Sequence, residues 1–235
     1  MTILFWDIDG TLLTTGRAGL LAWDDACTAI TGHALEFKGL RTDGLTDHQI
    51  AMRIMEQAGH TSPERDLERM VGEYERRLPE RLQQRQGHVL EGVRDMLEYL
   101  RAERPDVHSM LLTGNTAAGA RAKLTHYGLL EFFEGGAFSA DSRPRSTIAV
   151  RALDEVRARF PDTIIASSHV FVIGDTPHDI DCARAIGART IAVASGVYGA
   201  DDLRRRGAWR VLDRVPRPDA FEALIDGAGT PERRL

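Results

Sequence analysis

The sequence predicts an α/β fold, namely a doubly wound parallel sheet into which an all-helical domain is inserted. Three observations predict it. An apolar run at residues 3–6 is typical of a strand buried on both faces. A stretch of about 70 residues with helical periodicity follows, and beyond residue 87 strands alternate with helices. The length of 235 residues agrees, because it exceeds one typical domain and falls short of two.

Composition and charge narrow the class of protein. With 43% hydrophobic and 28% charged residues, the chain resembles packed globular proteins rather than disordered or fibrous ones. A net charge of −5 offers no basic surface to nucleic acid or anionic membranes, and no apolar stretch approaches the ~18 residues of a membrane span. The N-terminal apolar run is too short for a signal peptide, and the two cysteines form no CxxC motif. We therefore expect a cytoplasmic protein without nucleic-acid or membrane partners.

The helical block covers residues 16–86. Its apolar residues recur every three or four positions: Leu20, Trp23, Cys27 and Ile30, then Ile50, Ile54 and Ala58, then Leu67, Met70, Val71, Tyr74, Leu78 and Leu82. Because the first strand belongs with the later ones, this block is an insertion. The predicted domains are a sheet domain, made of residues 1–15 and 87–235, and a helical domain of residues 16–86.

The alternation after the insertion gives the remaining elements. Apolar spacing predicts helices around residues 93–100, 116–127 and 148–156, and one that begins near residue 178. Apolar strands lie between them at 109–112, near 137, at 170–173 and at 190–193. Helices that connect successive strands in this way are typical of a parallel sheet.

Polar residues follow three of the predicted strands. They are Asp7 and Asp9 after the first strand, Thr113, Gly114 and Asn115 after the strand at 109–112, and Asp175 after the strand at 170–173. In an open α/β sheet, ligands bind beyond the carboxyl ends of the strands, so these segments are expected to converge. Any one of them could instead be a helix cap or a turn, but all three together favour a site.

The carboxylates of this predicted site indicate a metal. Asp7, Asp9, Asp175 and Asp179 would come so close that they cannot all ionise without a cation. Mg²⁺ prefers oxygen ligands and commonly shares its shell with a phosphate. Residues 113–115 offer a hydroxyl and backbone amides at the expected start of a helix, which attracts anions. The site therefore suits a phosphate ester, whereas no P-loop or GxGxxG motif supports nucleotide binding.

Three motifs resemble those of the haloacid dehalogenase superfamily of phosphohydrolases: DIDGT at 7–11, LLTGN at 111–115 and GDTPHD at 174–179. The resemblance covers essentially the whole chain. The order and spacing are similar to members with a helical cap inserted after the first strand, as in the phosphoglycolate phosphatase and β-phosphoglucomutase-like subgroup. It implies a Rossmann-like core for the sheet domain and a cap for residues 16–86.

The resemblance also implies a role for each motif residue. Asp7 would be the nucleophile that forms an aspartyl-phosphate. Asp9 would protonate the leaving alcohol and then activate water, which favours a phosphatase over a dehalogenase because a halide leaves unprotonated. Gly10 and Thr11 would shape the turn that presents both carboxylates, and Thr113 would hydrogen-bond the phosphoryl group.

The metal ligands implied by the resemblance come from four motif residues. Asp175 would hold Mg²⁺ together with a carboxylate oxygen of Asp7 and the backbone carbonyl of Asp9. Asp179 would be a further or water-mediated ligand.

One position departs from the family pattern, in which a lysine, often followed by proline, neutralises the phosphoryl group and the nucleophile. The family's Lys-Pro pair usually precedes a helix, which corresponds to residues 142–145 of this chain. The chain has only two lysines, Lys38 in the insertion and Lys123 in the helix after Thr113, and neither stands in this segment. Arg143 precedes a proline there, so it is the predicted replacement, with Arg145 as the second candidate. Both could instead be solvated residues at a helix start.

The cap is expected to read the leaving group through the polar, glycine-containing loop at residues 39–47. Arg41, Thr46 and Asp47 are the predicted substrate contacts. Asp47 could instead be an ordinary helix N-cap.

The expected function is a Mg²⁺-dependent phosphatase that acts on a small phosphate monoester, of the phosphoglycolate or sugar phosphate type, as a monomer or homodimer. A phosphomutase of the β-phosphoglucomutase type is an alternative, since it would keep Asp7 and Asp9 but return the phosphoryl group to a sugar. A catalytically weak binding or regulatory protein is a second alternative, which only the missing lysine favours.

Overall fold

A computed structural model describes residues 1–59 and 63–227, with six parallel strands in one sheet. The strands of this sheet are β1 (Thr2–Trp6), β4 (Val107–Thr116), β5 (Gly136–Ser139), β6 (Val170–Gly174), β7 (Arg189–Val193) and β8 (Arg210–Leu212), and two further strands, β2 (Leu13–Thr14) and β3 (His88–Val89), form an antiparallel pair. The order across the sheet is β5-β4-β1-β6-β7-β8. Strand β8 was not predicted, and β4 runs four residues further than expected, through Thr116.

Helices cover both faces of the sheet. The helices are α1 (Ala18–Thr31), α2 (Asp47–Gln57), α3 (Pro63–Gln84), α4 (Val93–Glu103), α5 (Ala117–His126), α6 (Arg145–Arg159), α7 (Pro177–Ala185), α8 (Ala200–Arg205) and α9 (Pro218–Asp226). Apolar residues of α4, α5 and α9 pack on one face, and those of α6 and α7 pack on the other. This arrangement confirms the predicted doubly wound α/β class. None of the described helices is long and apolar enough to cross a membrane.

The central strand β1 determines where the site lies. All five of its residues are buried, as its continuous apolar sequence predicts for a strand covered on both faces. Parallel neighbours β4 and β6 flank it, pairing Trp6 with Leu111 and with Ile173. The strand order therefore reverses at β1: the chain adds β4 and β5 on one side of it and β6, β7 and β8 on the other. The crevice formed at such a switch point is where ligands bind in open α/β sheets.

Helices α1, α2 and α3 pack around a hydrophobic core of their own. Its centre is a stacked aromatic pair, Trp23 and Tyr74, with ring centroids 4.0 Å apart and planes 4° from parallel. The described part of residues 16–86 contains no strand, as the sequence predicts. The chain enters and leaves this segment through β2 and β3, so a single two-stranded ribbon links it to the sheet.

Candidate active site

A cleft of about 670 Å³ lies beyond the carboxyl ends of β1, β4 and β6. Polar residues of the sheet strands and their loops line one side. The helical segment lines the other with apolar residues (Leu20, Trp23, Leu45, Ile50 and Tyr74) and with polar or charged ones (Arg17, Thr42, Asp43 and Asp47). The structure thus brings the three predicted strand ends together. Asp7, Asp9, Gly10, Thr113, Gly114, Asn115 and Asp175 all line this cleft.

The turn after β1 presents the first two carboxylates. The N–H of Asp7 still donates to the carbonyl of Ile173 (2.9 Å), which keeps Asp7 in register with the sheet. Gly10 then adopts φ +82, and a Cβ there would lie 2.4 Å from Oδ2 of Asp175. Only glycine meets both requirements, so the predicted role of Gly10 in the turn has a physical basis. Thr11 donates from Oγ1 to Oδ1 of Asp175 (3.3 Å), which ties the turn to β6.

Three buried aspartates form a group that could hold a cation. Carboxylate oxygens of Asp7, Asp175 and Asp179 all lie within 4.8 Å of one another. Burial raises the pKa of both Asp7 and Asp175; Arg145 opposes this, whereas repulsion between the carboxylates adds to it. A bound divalent cation would relieve this repulsion, and carboxylate oxygens are the ligands that Mg²⁺ prefers. The residues therefore fit the predicted metal.

Asp179 differs from the other two aspartates because protein donors already occupy both of its oxygens. Oδ2 accepts from the backbone N–H (3.0 Å) and the hydroxyl (2.7 Å) of Thr176 in a capping box at the start of α7. Oδ1 accepts from Arg145 (2.7 Å). Asp7 and Asp175 line the cleft, whereas Asp179 does not. This placement agrees better with an indirect role at a metal than with direct ligation.

The structure corrects the choice between the two arginines. Arg143, the predicted replacement for the lysine, is 61% exposed and pairs with Asp141 (2.8 Å) on the surface. Arg145 is 4% exposed, and its Nη2 lies 2.7 Å from Oδ1 of Asp7 and 2.7 Å from Oδ1 of Asp179. The physical reason is that α6 begins at Arg145, so its first turn directs that side chain towards β1 and α7, while Arg143 lies in the preceding loop.

Lys123 also reaches the cleft, although its position in the sequence argued against it as the lysine of the family pattern. Its Nζ lies 2.6 Å from Oδ2 of Asp9 and 2.5 Å from Oδ1 of Asn115, and the side chain is 5% exposed. The sequence feature that could have indicated this contact is that α5 directly follows β4, whose end lies at the site. Since side chains of a helix lean towards its N-terminus, a lysine in the second turn can reach back to that strand end.

Thr113 and Asn115 are strand residues rather than the start of a helix. Asn115 donates from Nδ2 to Oγ1 of Thr113 (2.8 Å) and to Oδ2 of Asp9 (2.8 Å). The N-cap of α5 is Thr116, whose Oγ1 accepts from the N–H of Gly119 (3.1 Å). The expectation that the amides of residues 114 and 115 open the helix is therefore wrong, because β4 continues through Thr116.

The three predicted cap contacts have different positions. Arg41 is exposed and does not line the cleft, and neither does Thr46, which is the N-cap of α2. The side chain of Thr46 accepts from the N–H of Gln49 (3.1 Å), and the side chain of Gln49 accepts from the N–H of Thr46 (3.1 Å). Asp47 lines the cleft but is not the N-cap, so the alternative interpretation of Asp47 is wrong.

Asp47 attaches the helical segment to the end of β4. Its Oδ2 accepts from the backbone N–H of Thr116 (2.7 Å), and beside it Nδ1 of His48 lies 2.7 Å from Oγ of Ser139. Burial raises the pKa of Asp47 to about 7, against the opposing effect of Lys123. The two contacts hold the start of α2 against the sheet.

The loop before α2 lies directly on the strand ends. A Cβ on Gly114 would approach the carbonyl oxygen of Leu45 to 2.4 Å. Gly44 has φ +74, and a Cβ there would lie 2.3 Å from Cδ2 of His178. A side chain at residue 114 would therefore displace the backbone of the loop, and one at residue 44 would displace either the loop or the imidazole of His178.

The loop after β7 closes another side of the cleft and was not predicted. Ser195 donates from Oγ to the carbonyl of Gly10 (2.6 Å), and Gly196 lies so close to Asp175 that a Cβ would overlap the carboxylate. Both residues lie outside the three motifs, although they too follow the carboxyl end of a parallel strand.

Comparisons with known proteins agree with the observed fold. The family model of the haloacid dehalogenase-like hydrolases matches residues 3–193. A hydrolase from Pseudomonas syringae is 22% identical with a TM-score of 0.71, and the match covers 96% of this chain and 99% of that one. A HAD hydrolase (family IA, variant 3) from Entamoeba histolytica is 20% identical with a TM-score of 0.72, covering 96% and 100%. A β-phosphoglucomutase from Clostridium difficile is 16% identical with a TM-score of 0.73, covering 97% and 98%.

A comparison with curated protein sequences gave no significant match. At these identities the solved structures are evidence for the fold alone. The family model spans most of the sheet together with the helical segment inserted in it, and on that match the chain belongs to the haloacid dehalogenase-like hydrolase family.

Proposed function

We propose that this protein is a Mg²⁺-dependent phosphatase that hydrolyses a small phosphate monoester, of the phosphoglycolate or sugar phosphate type, through an aspartyl-phosphate. One observation carries the proposal: at the floor of the cleft, the buried carboxylate of Asp7 touches Arg145 and lies beside Asp175, while Asp9 stands at the open side. A nucleophile, a cation and a proton carrier thus face the same cavity.

The proposed metal ligands are Asp7, Asp175 and the backbone carbonyl of Asp9, with Asp179 acting through its contacts with Arg145 and Thr176. Bound Mg²⁺ would neutralise charge on the phosphate. Arg145 would offset the charge of the nucleophile and of the incoming phosphoryl group, which is the task that the family pattern gives to a lysine.

The chain's own residues supply the chemical steps. Asp7 attacks phosphorus, and the bond from phosphorus to the ester oxygen breaks while Asp9 donates a proton to that oxygen. Asp9 then takes a proton from the water that attacks the aspartyl-phosphate, which releases phosphate and restores Asp7. In this proposal Thr113 and the backbone amide of Gly114 bind the phosphoryl oxygens, while the N–H of Asn115 donates to Oγ1 of Thr113 (3.2 Å).

We propose that residues 16–86 act as a cap over the sheet domain formed by residues 1–15 and 87–235, of which the last eight lie outside the described residues. The contact of Asp47 with Thr116 supports this role, because it holds the cap segment against the strand ends. Exclusion of water from the closed cleft would protect the aspartyl-phosphate from uncontrolled hydrolysis.

The test is a screen of purified protein against a panel of small phosphate monoesters with Mg²⁺, with released phosphate as the readout and Asp7→Asn as the blank. We expect turnover of at least one ester by the wild type and none by the variant, together with a covalent phosphate on Asp7 in acid-quenched samples analysed by mass spectrometry. Equal phosphate release by both proteins would refute the proposal. Isomer formation from glucose 1-phosphate without phosphate release would indicate a phosphomutase instead.

A further inference from the structure

We propose that Lys123 is a positioning residue for proton transfer: together with Asn115 it holds one carboxylate oxygen of Asp9, so that the other oxygen faces the leaving group. This inference rests on the proposed function, because it concerns the residue that would exchange protons with substrate and water.

The hydrogen bonds around Asp9 are one-sided. Nζ of Lys123 (2.6 Å) and Nδ2 of Asn115 (2.8 Å) both bind Oδ2 of Asp9. No described donor binds Oδ1, and Asp9 lines the cleft with 44% of its side chain exposed. Two donors that bind the same carboxylate oxygen restrict rotation of the carboxylate plane. The second oxygen, Oδ1, therefore points in a defined direction.

Lys123 and Asn115 also fix each other. Nζ of Lys123 lies 2.5 Å from Oδ1 of Asn115, which leaves the amide nitrogen to bind Asp9 and Oγ1 of Thr113. The resulting triangle joins Asp9 on the β1 turn to β4 and α5. A proton carrier attached to two rigid elements needs little reorganisation before each transfer.

The burial of Lys123 links this triangle to the cap segment. A lysine is seldom buried unless it is paired, and one carboxylate beside it, Asp9, is half exposed. The second nearby carboxylate is Asp47, whose pKa Lys123 lowers while burial raises it. Asp47 belongs to α2 and binds Thr116 at the end of β4, so the environment of Lys123 is complete only with α2 docked.

The experiment compares two substrates that differ in their need for an acid. An alkyl phosphate releases an alkoxide, which must be protonated as it leaves, whereas 4-nitrophenyl phosphate releases a stable phenolate. We measure kcat/KM, which reports the steps up to loss of the leaving group, for wild type, Lys123→Met and Lys123→Arg. Arg143→Met is the matched control, because it removes one cation from the surface at a residue that does not line the cleft.

The expected result is a split between the substrates. General acid catalysis contributes about 10²–10⁴-fold, so Lys123→Met should lower kcat/KM for the alkyl ester by about 100-fold while the aryl ester changes by less than about 5-fold. Lys123→Arg should recover part of the loss, since its guanidinium can still donate to Oδ2. Arg143→Met should match wild type on both esters.

Two outcomes would overturn the inference. Equal losses on both esters in Lys123→Met would show a merely structural or general electrostatic role, and the proposed function would stand. If wild type hydrolyses neither these esters nor the wider panel, the proposed function falls and the inference with it. If Lys123→Met does not unfold cooperatively in a thermal melt, Asn115→Ala replaces it, since this variant removes the other donor to Oδ2 of Asp9. Asn115→Ala must then also lower kcat/KM more for the alkyl ester than for the aryl ester.

Discussion

The guanidinium of Arg145 bridges two buried carboxylates, with Nη2 2.7 Å from Oδ1 of Asp7 and 2.7 Å from Oδ1 of Asp179. Through this bridge the first residue of α6 connects the end of β1 to Asp179 in the first turn of α7. Burial disfavours the charged guanidinium, but the two carboxylates outweigh burial and raise the pKa of Arg145. The arginine therefore stays charged beside the proposed nucleophile at any pH at which the fold is stable.

Removal of the buried Arg145 side chain is expected to affect the reaction far more than removal of the exposed Arg143 side chain. Arg145→Met should lower kcat by about 10²–10³-fold, as loss of a single group that stabilises transition-state charge does. Arg143→Met, which makes the same change of charge on the surface, should keep wild-type kcat. Steady-state kinetics on the best ester of the panel measure both. Comparable activity of the two variants would show that Arg145 has no part in the reaction.

Mg²⁺ is expected to stabilise the wild type against heat. A ligand that binds only the folded state at 100 times its Kd adds about 2.7 kcal/mol to the free energy of unfolding. Asp175→Asn should lose most of this gain, since it removes a charged ligand and relieves the repulsion that a cation would otherwise relieve. Thermal melts with Mg²⁺ and with a chelator, on both proteins, measure the effect. The same rise in Tm for both would exclude Asp175 as a ligand.

Asp47 is expected to make the stability depend on pH. Burial raises its pKa from an ordinary value of 3.8 to about 7, so the folded state holds the proton more tightly than the unfolded state. At low pH Asp47 is protonated and stabilises the fold relative to an ordinary carboxyl. As the pH rises from about 4 through about 7, this contribution to the free energy of unfolding, at most ~4 kcal/mol, is lost. Asp47→Asn keeps an oxygen for the N–H of Thr116 but cannot ionise.

Urea unfolding of wild type and Asp47→Asn at pH 5 and pH 8 measures this contribution. The free energy of unfolding of the wild type should fall more between the two pH values than that of the variant. Parallel changes in the two proteins would mean that Asp47 titrates near its ordinary pKa.

The close contact of Gly44 with His178 is expected to matter for activity. Gly44→Ala adds strain at φ +74 of roughly 1–2 kcal/mol and drives the new methyl group into the imidazole ring. Displacement of the loop from the strand ends should lower kcat/KM by about 10-fold, since small misplacements are costly in catalysis.

Gly39→Ala is the matched control for this prediction. It has a similar φ of +85 in the same loop, but nothing lies within 4 Å of the added Cβ. Both variants should therefore lose similar stability in chemical unfolding, and only Gly44→Ala should lose activity. Full activity in Gly44→Ala would show that the contact with His178 does not position the loop.

Those parts of the protein that depend on local pattern could be predicted from the amino-acid sequence. The apolar run of β1 identified a central buried strand, and the polar residues after it placed Asp7 and Asp9 at the carboxyl end of the sheet. The same rule placed Thr113 and Asp175 there, because parallel strands that share a sheet end at the same edge. Helical spacing also predicted that residues 16–86 form helices and no strand, as the described part of this segment does.

Which cations reach those carboxylates depends on how the helices pack on the sheet. Arg143 and Arg145 are two positions apart, and the start of α6 between them sends one side chain outward and the other inward. The family pattern has its lysine just before α6, whereas Lys123 lies in α5. The packing of α5 on the sheet nevertheless brings Lys123 to Asp9. A side chain's direction changes by about 100° with each residue of a helix, so helix boundaries and packing angles, which the sequence pattern leaves open by a residue or two, determine these contacts.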